Sequence, residues 1–331
     1  MIGHETSPLV HVRTPTYRRP EALGRCLESL QMQSHTNWVC DVFDDDPKGS
    51  ARATVEGMND PRITFVQNAP QRFASKNIDQ CFARSNPRQA DYFCVVEDDN
   101  FVLPNFMADN IACCEQHDVE IVLRNQLIEY ASGTRSAELS AAGILDRKLV
   151  EMRYDPDLFR MTLLSDIGVS NGGLFWSRKA RSDLEIHYDC SATLQEYMRT
   201  FAIEEPIYVA MEPLAVWAEN GEGTLRDLGA RAGYLRSELA LKRSVRILQQ
   251  RAWQTARSAD RRSFLNHPAF AVPAEMRARG LVKSHIRLGV GNVLSLTEKL
   301  RLAVRGSIIR LFGRPEPGLE PFINARGGRA A

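Results

Sequence analysis

Short runs of β-branched and aromatic residues alternate, over residues 9–123, with stretches in which apolar positions recur every three or four residues. The runs predict strands, and the recurring positions predict amphipathic helices. The predicted strands are Leu9–Arg13, Trp38–Phe43, Ile63–Gln67, Tyr92–Val96 and Val119–Leu123, and the predicted helices are Pro20–Gln33, Ala51–Met58, Ala74–Arg84 and Pro104–His117. This alternation predicts an α/β fold in which helices cover both faces of a parallel sheet.

The residues that follow the strands suggest a binding site, because ligands of such sheets bind at the carboxyl ends of the strands. The first strand leads into Thr-Pro-Thr-Tyr (14–17), the second ends in Asp-Asp-Asp (44–46) and the fourth in Glu-Asp-Asp-Asn (97–100). Two acidic clusters at one sheet edge repel each other unless a cation or a donor-rich ligand lies between them. Mg²⁺ and Mn²⁺ are the hard cations that carboxylates bind. The alternative is that each cluster is a solvated turn in which an aspartate caps the next helix.

Composition indicates an ordinary globular protein, since 44% of the 331 residues are hydrophobic and 25% are charged. The sequence contains no apolar run long enough for a transmembrane helix, and its first residues do not resemble a signal peptide. The 7 cysteines are scattered through apolar patterns, which predicts reduced, buried thiols. We therefore expect a cytoplasmic protein, either free or peripheral on the cytoplasmic face of the membrane, and no nucleic-acid partner.

The net charge of +1 conceals an asymmetry, because residues 1–224 carry −13 and residues 225–331 carry +14. The basic third contains a predicted helix over Tyr234–Arg257 and a segment, 281–312, that mixes apolar residues with Lys and Arg. Such a mixture is typical of an interfacial helix attracted to an anionic membrane surface. A helix packed on the rest of the chain, with a solvated basic face, is the alternative. The Pro- and Gly-rich tail, 315–331, is predicted to be disordered.

The segments at the strand ends resemble, in order, the inverting family 2 glycosyltransferases of GT-A fold. "VHVRTPTYRRPEALGRCLESLQMQ" resembles their opening strand, Pro-Thr-Tyr loop and first helix, and "WVCDVFDDDPKGSA" resembles their second strand and acidic nucleotide loop. "NDPRITFVQN" and "ASKNIDQCFARS" match the next strand and helix, and "ADYFCVVEDDNFVLPNFM" matches the DXD strand with its following helix. The sequence departs from the family at Arg18, where asparagine is usual, at Phe73, where glycine is usual, and at Glu97, where aspartate is usual.

The resemblance implies a Rossmann-like nucleotide-binding sheet and a C-terminal, mostly helical, basic extension. Residues 1–224 would form the GT-A catalytic domain, with a nucleotide-sugar-binding half over 8–123 and an acceptor-binding half over 124–224. Residues 225–314 would form the basic extension.

The resemblance also implies donor and metal contacts at matching positions. The base and ribose would be lined by Pro15, Thr16 and Tyr17, and the nucleobase edge would be bound by Asp45, with Asp44 beside it. The donor would also be contacted by Lys76 and Asn77. Asp98 would face the ribose or sugar, and Asp99 would hold Mn²⁺ or Mg²⁺ on the diphosphate. For Lys76, a solvated helix residue is an equal alternative.

An inverting transfer needs one carboxylate that takes the proton of the acceptor hydroxyl. The family keeps this residue six positions before an arginine, but the corresponding position here is Thr193. Asp189 is therefore the first candidate for the catalytic base and Glu196 the second. Asp189 could instead be the N-cap of the following helix.

These observations predict an inverting glycosyltransferase of polysaccharide biosynthesis, which moves a sugar from a nucleotide-sugar donor to a hydroxyl of a saccharide or lipid-linked acceptor. A degenerate family member that binds nucleotide sugar or glycan without turnover is one alternative. A nucleotide-sugar pyrophosphorylase is another, disfavoured because no glycine-rich, arginine-bearing phosphate loop follows the first strand.

Overall fold

The structure, a computed structural model, describes residues 7–220, 231–286 and 293–327 and has a mixed α/β fold. Its strands are β1 (Val10–Thr16), β2 (Trp38–Asp44), β3 (Ile63–Gln67), β4 (Tyr92–Val95), β5 (Phe101–Val102), β6 (Ile121–Ser132), β7 (Glu138–Leu139), β8 (Met152–Tyr154), β9 (Leu174–Ser177) and β10 (Ile207–Asn220). Its helices are α1 (Pro20–Gln31), α2 (Arg52–Gly57), α3 (Phe73–Gln80), α4 (Phe106–His117), α5 (Pro156–Arg160), α6 (Ala192–Ala202), α7 (Arg231–Thr255), α8 (Ser258–Ser263), α9 (Ala274–Lys283), α10 (Leu296–Phe312) and α11 (Leu319–Gly327). Short 3₁₀ turns lie at Met161–Ser165, Asn171–Gly173 and Phe264–Asn266.

The central sheet has the strand order β3-β2-β1-β4-β9-β6-β10-β5, and β7 pairs with β6. The predicted parallel sheet is confirmed for β3, β2, β1 and β4, whereas β9 runs antiparallel to both of its neighbours. Helices cover both faces, as predicted. Because β1, β2 and β4 are parallel, their carboxyl ends meet at one edge, where Thr16 lies opposite Asp44 in register.

The chain divides into two compact units, and each is described by itself. The first unit, which contains the central sheet, comprises Met1–Asp146, Ser170–Arg181 and Glu205–Gly223. The second comprises Arg147–Val169, Ser182–Glu204 and Thr224–Ala331 and contains α5 to α11. The chain passes between the units several times, whereas the predicted domains are consecutive; those boundaries stay a prediction.

The core of the first unit lies between the sheet and its helices. The predicted inward face of α1 is confirmed, because Leu23, Cys26, Leu27 and Leu30 are fully buried, and Phe106 at the start of α4 is buried as well. All cysteines are free thiols, and all except the half-buried Cys113 are buried. The prediction that the cysteines are buried is thus confirmed for all of them except Cys113.

The second unit is held by an apolar cluster in which α6, α7 and α11 meet. Its members include Leu194, Met198, Val245, Leu248, Leu319 and Phe322. The prediction of a disordered tail is wrong for 319–327, because α11 buries Phe322 completely against the rings of Tyr188 and Phe201. Proline and glycine are frequent in the tail, but its apolar residues pack against residues that are distant in sequence. Residues 328–331 lie outside the described residues.

The segment predicted as one interfacial helix, 281–312, is divided in the structure. Its first residues end α9, and its last seventeen form α10. Leu281 and Leu294 are buried, so they belong to the core and not to an exposed apolar surface. Residues 287–292 of this segment lie outside the described residues. The prediction of a single exposed helix is therefore wrong for the described residues of this segment that precede α10.

Candidate functional site

The loop after β1 and the end of β4 are joined through one carboxylate. Thr16 Oγ1 donates a hydrogen bond of 2.7 Å to Asp98 Oδ2, and the backbone N–H of Tyr17 lies 3.4 Å from the same oxygen. Asp98 is only 4% exposed. Three residues named by the sequence analysis thus meet at the carboxyl edge of the sheet.

Two arginines of the loop after β1 form ion pairs with the two acidic clusters. Arg19 Nη1 lies 2.5 Å from Asp99 Oδ2 and 3.3 Å from Asp98 Oδ1. Arg18 Nη2 lies 3.2 Å from Asp46 Oδ1, in the other cluster. The cation that the clusters require is therefore supplied, in this structure, by the chain itself. The signal in the sequence was the Arg-Arg pair directly after the Thr-Pro-Thr-Tyr loop.

Asp98 has an unusual protonation equilibrium. Burial and the neighbouring charge of Asp99 raise the pKa of Asp98 to about 7, although the Arg19 guanidinium and the hydrogen bonds from Thr16 and Tyr17 oppose this shift. Near neutral pH this carboxyl therefore gains or loses a proton, whereas an ordinary aspartate is already ionised.

The donor atoms of this edge fit a metal ion only together with a substrate. Among the residues that the structure describes, no group of three or more His, Cys, Asp or Glu side chains is placed to hold a metal ion. Asp98 and Asp99 offer carboxylate oxygens, which Mg²⁺ and Mn²⁺ prefer, and one or two carboxylates suffice where substrate phosphates complete the coordination. Arg19 contacts Oδ2 of Asp99, one of the oxygens to which an ion could bind. The ion and the guanidinium would therefore compete for it.

The carboxylates of Asp44 and Asp45 accept hydrogen bonds from backbone N–H groups. Asp44 accepts hydrogen bonds of 2.9 Å from the N–H groups of Asp46 and Ala51. Asp45 accepts from the N–H groups of Arg72 and Phe73, each at 2.7 Å, and from the side chain of Asn68 at 2.9 Å. The cluster is therefore not the solvated turn of the alternative, since Asp44, Asp45 and Asp46 are buried. Asp45 instead satisfies N–H groups at the start of α3, whereas the next helix along the chain is α2. The contact of Asp45 with a nucleobase stays a prediction.

The remaining predicted donor contacts divide into buried and exposed side chains. Asn77 is buried and donates from Nδ2 to the carbonyls of Thr16 at 3.3 Å and Phe43 at 3.2 Å, so it ties the ends of β1 and β2 together. Pro15 is buried within β1. Tyr17 and Lys76 are exposed and present their side chains at the surface of this region. Direct contact with a donor is thus open to Tyr17 and Lys76, while Asn77 positions the strand ends.

Two of the departures from the family fall on left-handed backbone. Arg18 has φ of 54° and Phe73 has φ of 64°. Asparagine and glycine, the residues usual at these positions, enter this conformation most readily. For other residues it costs about 1–2 kcal/mol. Phe73 is nevertheless 68% exposed, so this strain is not compensated by burial of the ring.

The two candidates for the catalytic base lie in the second unit, whereas the donor residues lie in the first. Ser191, not Asp189, is the N-cap of α6, since its side chain accepts the N–H of Leu194 at 3.2 Å. The capping alternative for Asp189 is therefore wrong. Asp189 is exposed, two residues before the cap, and Glu196 is half-buried on the second turn of the helix.

The mixed sheet with helices on both faces has the GT-A fold. A sequence model described as Glycosyl transferase family 2 matches residues 12–178, and the chain belongs to that family. WcaA of Escherichia coli (strain K12), whose name describes a glycosyl transferase of colanic acid biosynthesis, is 26% identical over 117 residues. That match covers 34% of this chain and 40% of WcaA, so the chain spans less than half of that relative's length.

Solved structures of S. aureus TarS share the fold. TarS 1-349 in complex with UDP-GlcNAc aligns with a TM-score of 0.56 at 12% identity, over 92% of each chain. A longer TarS structure aligns with a TM-score of 0.55 at 10% identity, over 91% of this chain and 52% of that one. In the described part of this chain, no helix is both long and apolar enough to cross a bilayer.

Proposed function

We propose that the protein is an inverting glycosyltransferase, which moves a sugar from a nucleotide-sugar donor to a hydroxyl of a saccharide or lipid-linked acceptor. The observation that supports this most is the Asp98–Asp99 pair, held by Thr16 and Arg19 at the carboxyl ends of β1 and β4 in a chain of family 2. The UDP-GlcNAc complex of TarS makes a UDP-sugar the first donor to test.

In this proposal the acidic edge of the sheet binds the diphosphate of the donor. Asp99 would hold Mn²⁺ or Mg²⁺, and the ion would supply positive charge against the negative charge that develops on the leaving diphosphate. Arg19 stands beside the same carboxylates and donates hydrogen bonds to the phosphates once they displace it from Asp99. In a site of low dielectric constant, such fixed charge is usually the largest contribution to catalysis.

The nucleobase lies, in this proposal, between exposed aromatic side chains. Tyr17 and Phe73 are both exposed, and the N–H of Phe73 binds the carboxylate of Asp45, which the family resemblance assigns to the nucleobase edge. Strained backbone is often found at functional sites, and a ligand that covered the exposed ring would give this strain a function. Phe73 therefore stacks on the base, and this chain replaces the family's glycine with a binding residue.

Transfer requires one proton acceptor. Asp189, or Glu196 in its place, takes the proton of the acceptor hydroxyl. At the same time the oxygen of that hydroxyl forms a bond to the anomeric carbon. The bond from that carbon to the diphosphate oxygen breaks on the opposite face, and the electron pair leaves with the nucleoside diphosphate. Attack opposite the leaving group inverts the anomeric configuration.

The proposal also concerns the class of the acceptor and the location of the enzyme. The name of WcaA supports a role in polysaccharide biosynthesis. A lipid-linked acceptor would place the enzyme at the cytoplasmic face of a membrane, where basic side chains of α10 (Leu296–Phe312) would meet anionic headgroups. The alternative function, binding without turnover, is favoured by a single observation, namely that Thr193 occupies the position where the family has its base.

A donor panel tests this proposal. We expect the full chain to gain thermal stability from at least one nucleotide sugar, more with Mn²⁺ than without it, and to release nucleoside diphosphate when an acceptor is added. Stabilisation without any release, across saccharide and lipid-linked acceptors, would support the binding-only alternative. Indifference to every nucleotide sugar would contradict both.

A further inference from the structure

One face of α10 is fixed in the second unit. Leu302 is buried in a cluster with Ala278 and Leu294. A Cβ on Gly306 would lie 2.8 Å from the carbonyl oxygen of Lys283, so α10 packs closely on the end of α9. The side chain of Ser295 accepts the N–H of Glu298 and caps the helix. The orientation of α10 within its unit is therefore determined.

The opposite face of α10 is an exposed apolar stripe. Four members recur at intervals of four residues and two more lie within the next turn, and all are between 46% and 82% exposed: Leu296, Leu300, Val304, Ile308, Leu311 and Phe312. With 3.6 residues per turn, such intervals keep the side chains on one side of a helix, here away from Leu302 and Gly306. Contiguous exposed apolar patches mark contact surfaces for proteins or membranes.

Basic side chains flank the stripe. By helix geometry Lys299 and Arg310 follow one border, and Arg301 and Arg305 follow the other. Glu298, the one acidic residue in the sequence of α10, is ion-paired with Arg279 of α9. The surface that α10 presents therefore combines apolar side chains with positive charge along both borders.

The positive charge along the borders of the α10 stripe indicates which partner binds this surface. A second copy of the chain, seated on the same face by two-fold symmetry, would bring the like-charged borders together. An anionic leaflet takes the apolar side chains at the boundary of its acyl chains and pairs its headgroups with the guanidinium groups. We propose that the α10 stripe docks the protein on an anionic lipid surface. This inference deepens the proposed function, on which it rests, because a lipid-linked acceptor would lie in the same leaflet.

Substitutions within the stripe test the inference better than truncation, because removing α10 would expose the buried residues beneath it. The stripe variant is Leu300→Gln, Val304→Gln and Ile308→Gln, since glutamine keeps helix propensity. The matched control, Leu235→Gln with Met276→Gln, changes exposed apolar residues of α7 and α9. Circular dichroism melts should be alike for all three proteins.

The assay is sedimentation of the full chain with vesicles of phosphatidylcholine, alone or mixed with phosphatidylglycerol. We expect binding to the mixed vesicles at low salt, release at high salt, a loss of about tenfold or more in affinity for the stripe variant, and no loss for the control. Equal binding by the stripe variant and the parent, or no binding by the parent, would overturn the inference. A concentration-dependent dimer that the stripe substitutions abolish, without vesicle binding, would identify a second copy instead.

Turnover without vesicles separates this inference from the proposed function. The stripe variant should release nucleoside diphosphate with a soluble acceptor at the rate of the parent protein. If neither protein turns over a donor but the vesicle results hold, the proposed function fails and the docking surface stands. If both turn over equally and neither binds vesicles, only the docking surface fails.

Discussion

Arg19 and Asp99 form an ion pair at the centre of the candidate site, with 2.5 Å between Nη1 and Oδ2. The pair joins the loop after β1 to the end of β4 and offsets the repulsion between Asp99 and Asp98. It also places a permanent cation of the protein where the family resemblance places a metal ion. Competition between the two cations follows directly from this arrangement.

Replacing Arg19 should therefore strengthen metal binding in the absence of nucleotide. For Arg19→Met we expect Mn²⁺ to bind about tenfold more tightly than to the parent protein, because an opposing charge has been removed. Arg19→Lys retains the charge and serves as the control. Titration calorimetry without nucleotide measures this, and unchanged Mn²⁺ affinity in Arg19→Met would show that guanidinium and metal do not share a carboxylate.

Asp98 should make stability depend on pH. Its pKa is raised to about 7 in the folded protein, whereas an aspartate in the unfolded chain titrates near 4. Between about pH 4 and pH 7 the folded state binds more protons than the unfolded state, so the free energy of unfolding falls as pH rises through this window.

The size of that effect is at most about 1.4 kcal/mol per pH unit. Urea unfolding at several pH values, in Asp98→Asn and in the parent, isolates it. As pH rises through this window, the unfolding free energy of the parent should fall relative to that of Asp98→Asn. A constant difference would mean that Asp98 is ionised throughout.

Phe73 allows backbone strain and ligand contact to be separated. Because its φ is 64°, Phe73→Gly should be more stable than Phe73→Ala by about 1 kcal/mol. Both variants lose the ring, so both should bind the nucleotide more weakly by about 1–3 kcal/mol. Chemical denaturation and nucleotide titration measure the two effects. Nucleotide affinity equal to that of the parent would remove Phe73 from the binding site.

The catalytic base can be identified by comparing isosteric variants. Asp189→Asn should lower turnover by about 10²–10⁴-fold, as expected on removal of a general base, and leave donor affinity unchanged. Glu196→Gln is the matched variant. Loss of turnover in Glu196→Gln alone would assign the base there, and full turnover in both variants would exclude these two carboxylates.

Local signals in the sequence predicted the sheet and its acidic edge well. The first four strands and α1 are recognisable from period and β-branched content, and the clusters at 44–46 and 97–99 stand directly at strand ends. Arg19 was missed because its role depends on two strands meeting in space. The contacts of Asp45 likewise involve Arg72 and Phe73, which are distant in sequence.

The C-terminal region shows why composition alone was insufficient. Leu294 and Leu300 are both apolar residues in a basic segment, yet the former is buried and the latter is 65% exposed. Only the packing of α10 on its neighbours distinguishes them. In the same way, Phe322 becomes a core residue because α11 reaches the rings of Tyr188 and Phe201.

The role of Asp99 is best tested by the transfer of labelled sugar from a nucleotide sugar into an acceptor, compared between the parent protein and Asp99→Ala. We expect Mn²⁺-dependent transfer by the parent and none by Asp99→Ala, with both proteins folded as judged by circular dichroism. Transfer by Asp99→Ala at the parent's rate, or by the parent at full rate in EDTA, would contradict the role assigned to the acidic edge of the sheet.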